Sequence, residues 1–160
     1  GKDHKIDFSG MRGSLKIADF TDGRNIDNPR LITDASFSTD SAAGGYQAEQ
    51  VLTEIIRDAL IQGFNKGGAK LVDADEDLRI EGSLLSTEAK LVDRKGVESI
   101  QLTLRTNVKL QGGGRTLWET TLFGRGVTPK SDGMVAAVRA ALDRMISELV
   151  IDDYFLIEVL

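Results

Sequence analysis

Hydrophobic positions along this 160-residue chain switch period three times, from two to about 3.6, back to two and again to about 3.6, and each switch marks a new kind of element. Between Ser14 and Phe20, Leu15 and Ile17 alternate with Lys16 and Ala18 as in a strand, and Asp22-Gly23-Arg24 supplies a turn after it. Asn25 to Tyr46 is long and polar, punctuated by Pro29 and Gly44-Gly45. Structureless loops of that length are uncommon in a compact domain, so a short extended pair is expected inside it, around Leu31-Ile32 and Ser36-Phe37-Ser38. From Gln47 to Phe64 the period changes: Val51, Leu52, Ile55, Ile56, Ala59, Leu60 and Phe64 form one apolar stripe, with Glu54, Arg57, Asp58 and Gln62 opposite. That predicts a helix ended by Gly67-Gly68.

Three strands are expected next. Leu78, Ile80, Gly82 and Leu84 alternate with Arg79, Glu81 and Ser83. Ile100, Leu102, Leu104, Val108 and Leu110 then make an almost unbroken apolar face that only Thr106 interrupts, the mark of a strand buried on one side. Gly112-Gly113-Gly114-Arg115 turns the chain, and Thr116 to Arg125 returns with Trp118, Thr120 and Leu122 inward, so Ile100 to Arg125 reads as a β-hairpin. Ser131 or Asp132 caps a second helix, whose stripe runs from Met134 and Val138 through Leu142 and Met145 to Leu149. The tail from Asp152 to Leu160 is too short for its period to decide between one or two helical turns and an added strand. The order β-α-β-β-β-α predicts an α+β domain over residues 14–160. Its sheet is mostly antiparallel, of four or more strands, with helices at Gln47–Phe64 and Asp132–Val150 packed on one face. Gly1 to Gly13, polar and of mixed charge, is expected to be a flexible arm.

Composition narrows the function more by exclusion than by assignment. Hydrophobic residues make up 41% and charged residues 28%, which is ordinary for a globular domain. The net charge of −5 disfavours a nucleic-acid partner, because affinity for the phosphate backbone rests on clustered Lys and Arg. With no Cys, disulfides, thiolate metal sites and thiol catalysis are absent from this sequence. No apolar run reaches the ~18 residues of a membrane-spanning helix. The opening Gly1-Lys2-Asp3-His4 carries no initiating Met and reads as a trimmed start, so a leader upstream stays open.

Candidate chemistry is thin. His4, the one imidazole, lies in the polar arm, where a general base lacks the fixed geometry it needs. The acidic run Asp73, Asp75, Glu76 and Asp77 lacks the glycine and distal glutamate of a calcium loop and reads as a solvated turn. Asp152-Asp153 does not suit a helix C-terminus and is expected to open a new segment. Gly67-Gly68 follows a helix and Gly112-Gly113-Gly114 lies inside a hairpin, so neither is a phosphate loop. Catalytic, cofactor and metal residues are therefore expected to be none, and the chain is not expected to be an enzyme. Trp118 is expected in the core. Phe123, with Leu117 and Leu85, is expected on the polar sheet face among Glu119, Thr121 and Arg105, and several such residues close together would mark a contact surface.

Phe20-Thr21-Asp22-Gly23-Arg24 after the first strand, Gln62-Gly63-Phe64 ending the first helix, Trp118-Glu119-Thr120-Thr121 in the hairpin and Leu149-Val150-Ile151-Asp152-Asp153-Tyr154-Phe155 after the second helix follow one another as in the YajG-like family of bacterial lipoproteins, which the chain resembles from Leu15 to Leu160. The resemblance implies a signal peptide and a lipidated Cys just upstream of Lys2, and periplasmic anchoring at the outer membrane. Lys2 to Gly13 would be the leash, and no catalytic residues are implied. On this basis the expected function is a non-enzymatic periplasmic lipoprotein domain that binds a protein or cell-envelope component. The alternative is a carrier holding a small apolar ligand or lipid between sheet and helices, in room left by Gly82, Ala137, Ala140 and Ala141.

Overall fold

The computed structural model describes residues 7–33 and 46–160. Its elements are β1 (Leu15–Ile17), β2 (Thr21–Asp22), β3 (Leu31–Thr33), β4 (Tyr46–Gln47), α1 (Leu52–Lys66), β5 (Leu78–Arg94), β6 (Val97–Gly112), β7 (Arg115–Pro129), α2 (Gly133–Val150) and α3 (Asp153–Val159). β5, β6 and β7 form an antiparallel meander, while β1 and β2 pair parallel to β5 at its other side, giving a mixed five-stranded sheet. The parallel pairing follows from the order: α1 carries the chain back between β1 and β5, as a crossover must. The fold is α+β, as the pattern predicts.

Both hairpin turns have two residues with positive φ, Lys95-Gly96 (54° and 80°) and Gly113-Gly114 (59° and 78°). Two such residues make the turn whose twist matches that of the flanking strands. β5 extends ten residues past Leu84, further than its alternation suggests, because a bulge between Leu84 and Ser86 inverts the inward positions. Before it Ile80 and Leu84 face the helices; after it Thr87 and Ala89 pair with inward Leu104 and Leu102.

The core lies between this sheet and α1 and α2. Ile56, Leu60 and Phe64 of α1, Leu102, Leu104 and Leu110 of β6, and Ala141, Met145 and Leu149 of α2 are all fully buried in one cluster. An aromatic chain runs through it: Phe8 to Phe64 at 4.9 Å, Phe64 to Phe155 at 6.1 Å, and Phe155 to Trp118 at 5.1 Å.

Three boundaries differ from expectation. α1 begins at Leu52 rather than Gln47, because Gln47 pairs with Leu31 and Ala48 N–H donates to the Arg30 carbonyl, which holds the approach to the helix extended. The partner of β3 is β4; Ser36-Phe37-Ser38 lies outside the described residues. The expected arm is docked from Phe8 onward: Phe8 is buried, its N–H donates to the Gly67 carbonyl, and Arg12 N–H donates to the Val159 carbonyl. A single aromatic in a polar run escapes a periodicity argument, yet burying it is worth a few kcal/mol, of order 2–3. The tail resolves as α3, and Asp152 opens it by accepting from Phe155 N–H at 3.0 Å.

Candidate functional site

Asp77 and Glu76 of the acidic run are occupied in holding the fold. The Asp77 carboxylate accepts from Ser14 N–H at 2.9 Å and Ser14 Oγ at 3.2 Å, and Asp77 N–H donates back to Ser14 Oγ at 3.1 Å. Glu76 pairs with Arg79 at 2.8 Å; its own backbone N–H and then the Arg79 guanidinium hold its carboxyl below the usual glutamate range. The acidic run is thus a turn latched to β1. His4 lies outside the described residues. Gly67-Gly68 closes α1, with Gly68 at φ 84°.

The Phe20–Arg24 motif is also structural. Arg24 is almost fully buried and grips Asp22 through Nε at 3.0 Å and a terminal nitrogen at 2.8 Å, while its guanidinium also donates to the carbonyls of Leu31 and Pro29. Burial pushes the Asp22 carboxyl up, but the hydrogen bonds and charge of Arg24 outweigh it and the net shift is downward. Gly23 N–H donates to the Leu84 carbonyl at 2.8 Å, so the motif ties β2, β3 and β5 together.

The small residues are consumed by close approach. A Cβ on Gly82 would collide with the Asn107 carbonyl and meet the Phe20 ring at 2.8 Å. On β7, a Cβ on Gly124 would strike the Ala141 carbonyl and one on Gly126 would lie 2.6 Å from the Ala140 Cβ. α2 therefore sits directly on β7, and the space that a carrier would need at these positions is filled.

Two exposed regions stand out among the described residues. The first is the sheet face away from the helices. Toward the Gly113 turn its polar groups satisfy one another: Gln111 Nε2 donates to Glu81 Oε1 at 3.1 Å, and Asn107 Nδ2 to Glu119 Oε2 at 3.0 Å. Further along, Phe123 is 57% exposed opposite Arg105, with Arg125 two residues on. Among the described residues neither arginine has a carboxylate partner; Arg125 Nε reaches only Thr103 Oγ1, at 3.3 Å. Phe123 and Arg105 are where the alternation places them. Leu117 and Leu85, expected beside Phe123, are half-buried. Around the outer edge of β7 this face turns into an open groove of about 540 Å³, where Thr121, Phe123 and Arg125 meet Arg144 and Glu148 of α2 and Asp152. Arg144 and Glu148 pair with each other at 3.1 Å.

The second region is α3, whose Phe155 and Val159 are buried while Ile151 before it, Tyr154, Ile157 and Leu160 are exposed. Neither the groove nor this stripe follows from periodicity alone. The groove depends on which strand ends the sheet, and the stripe on the tail being helical; once helical, residues 154, 157 and 160 fall on one side by their spacing of three.

The family model LptE, lipopolysaccharide-assembly, matches residues 33–152, well over half of the chain. The chain belongs to the LptE family. Among solved structures it is similar to a Xanthomonas campestris protein of family DUF330, with TM-score 0.57 and 18% identity over 96% of this chain and 83% of that one. It is also similar to a hypothetical protein from Chlamydia trachomatis, with TM-score 0.49 and 9% identity over 87% and 94% of the two chains. A minor lipoprotein from Acinetobacter baumannii gives TM-score 0.48 and 10% identity over 84% and 87%. At its identity the first speaks for the fold alone; the other two are more distant and bear on nothing further. No curated protein matches the chain in sequence. The family match is to LptE and does not extend to the YajG-like family that the sequence resembles.

Proposed function

We propose that the chain is a bacterial cell-envelope lipoprotein domain, non-enzymatic, that serves lipopolysaccharide assembly by binding a protein or another component of the envelope. Membership of the LptE family over residues 33–152 carries this reading. The site chemistry supports it: the carboxylates of Asp22, Glu76 and Asp77 are committed to structural partners, while exposed apolar and cationic side chains gather at the edge of β7. Surfaces of that kind suit recognition more than proton transfer.

The domain would be tethered in the periplasm, at the outer membrane, through a lipidated Cys upstream of Lys2, as the YajG-like resemblance implies. Phe8 and Arg12 dock beside α1 and α3, so Phe8–Gly13 belongs to the domain rather than to the leash. A multiply acylated Cys holds to a bilayer without help from basic residues, as an acidic domain requires. Labelling the full-length protein with a palmitate analogue and fractionating the envelope tests the reading. Labelled protein in the outer-membrane fraction, co-purifying with an envelope protein, is expected; unlabelled protein in the cytosolic fraction overturns it.

A further inference from the structure

The outer edge of β7 combines three features. It is long, 15 residues against the five or six of a common strand. Among the described residues, no backbone hydrogen bond joins it to any segment other than β6, so every second N–H and C=O along it points outward with no backbone partner. And it forms one side of the groove whose far wall is Arg144 and Glu148 of α2. Natural sheets usually shorten, bulge or cover such an edge, because it is a template for another strand.

We infer that this edge is a docking site for an extended segment of a partner protein, added as a further antiparallel or parallel strand beside β7, with acidic and apolar side chains on the positions that share the open sheet face. The inference rests on the envelope-binding reading and gives it a surface. Charge chooses the acidic side chains: Arg125, on the edge strand two residues from Phe123, lacks a carboxylate partner among the described residues, so an added strand carrying a carboxylate beside Arg125 and an apolar side chain beside Phe123 complements both. Position disfavours a second copy paired antiparallel with its helices on the same face. α2 sits directly on Gly124 and Gly126, and two copies paired edge to edge would bring their β7 strands about 5 Å apart and their α2 helices with them. Helices need about 8–10 Å between axes. A bare strand carries no such helix and avoids that clash.

The probe is a soluble peptide of about nine residues with Glu, Val and Glu on one face and Thr on the other, compared with its Lys counterpart. Hydrogen exchange and amide chemical shifts of the intact protein are the readout. The Glu peptide is expected to protect alternate β7 amides between Glu119 and Val127, the Lys peptide to leave them unchanged, and Arg125→Glu to weaken the Glu peptide about tenfold, as one charge pair made repulsive would. No protection of β7, equal protection by both peptides, or protection of the same amides by self-association at high protein concentration would each overturn the proposal. Envelope capture separates this from the wider reading. An envelope partner retained undiminished by Arg125→Glu sinks the edge alone, whereas a wild-type protein that captures none sinks the function.

Discussion

The first seven residues of β5 and the outer side of β7 are finished in opposite ways. On the β5 side, β1 and β2 cover the first seven residues of the strand with parallel pairing, and side chains lock them down: Ser14 with Asp77, and Arg24 with Asp22 and the carbonyls of Leu31 and Pro29. On the β7 side nothing among the described residues bonds to the outside of the strand, and α2 holds it from above through Gly124 and Gly126. Packing on one face thus substitutes for hydrogen bonding at the edge. An edge held by packing keeps its backbone groups free for a partner; an edge held by a buried ion pair does not.

Breaking the closed edge has the largest expected effect. Arg24→Ala removes the guanidinium partner of Asp22 and its contacts with the Leu31 and Pro29 carbonyls, and deleting one member of a buried pair costs about 3–5 kcal/mol. The lower end applies, since Asp22 keeps 17% side-chain exposure and can regain some water. Because the folded Asp22 carboxyl titrates below its ordinary value, its contribution is complete above about pH 4 and drains away as pH falls through the lowered value. Urea midpoints of wild type and Arg24→Ala should therefore differ most near neutrality and converge in acid. A gap that stays constant down to strongly acidic pH would mean that the pair does not hold this edge.

Gly124→Ala breaks the other edge from above. The added Cβ meets the Ala141 carbonyl and the Met145 Cβ at 2.9 Å, so the α2 backbone has to shift, an overpacking cost of about 1–3 kcal/mol. Gly114→Ala is the control: it sits in the adjoining turn at φ 78° with nothing within 4 Å of its Cβ, so its penalty is conformational alone. Amide shift changes along α2 should accompany the first substitution and be absent from the second. A thermal midpoint that Gly124→Ala leaves unaltered would show that α2 does not rest on β7.

The strands at the closed edge and the helix stripes were largely legible in the sequence, since Leu15, Ile17, Ile80 and Leu84 alternate cleanly and α1 and α2 carry apolar faces at helical spacing. What escaped had a local cause. The bulge at Leu85 inverts the alternation, so the far half of β5 reads as irregular. Lys95 takes a positive φ that its side chain does not advertise, hiding the first hairpin turn. Phe8 stands alone in a polar run, and its partner Phe64 is 56 residues away. The groove was the least legible feature, because being an edge is a property of topology: Thr121, Phe123 and Arg125 would carry the same pattern in a central strand.

Thr106→Val should have a smaller effect and the opposite sign. Thr106 is fully buried between Leu84 and Leu122, its hydroxyl makes no hydrogen bond, and valine has nearly its shape. Removing an unsatisfied buried hydroxyl is expected to stabilise by roughly 1 kcal/mol. The change lies midway between the two edges, so it should raise the urea midpoint without altering exchange at either. A destabilised variant would reveal a partner for the hydroxyl.

The smallest expected effect sharpens the comparison most, because it sets one arginine against another. Arg24 at the closed edge is buried with a bidentate carboxylate and two carbonyl contacts; Arg125 at the open edge is exposed with one hydroxyl contact at 3.3 Å. Arg125→Glu should therefore shift stability by no more than about 0.5 kcal/mol, the range of surface substitutions that touch no cap, cavity or buried pair. Exchange along β7 should keep its two-fold alternation, with amides donated to β6 slow and those pointing outward as fast as loop amides. A loss above about 1 kcal/mol, or uniformly slow exchange along the strand, would mean that something already pairs with this edge. Chemically similar residues would then be doing similar work at both edges. With the expected result, arginine at the closed edge is a fastener and arginine at the open edge is unspent charge beside unspent backbone, which is the condition a docking strand requires.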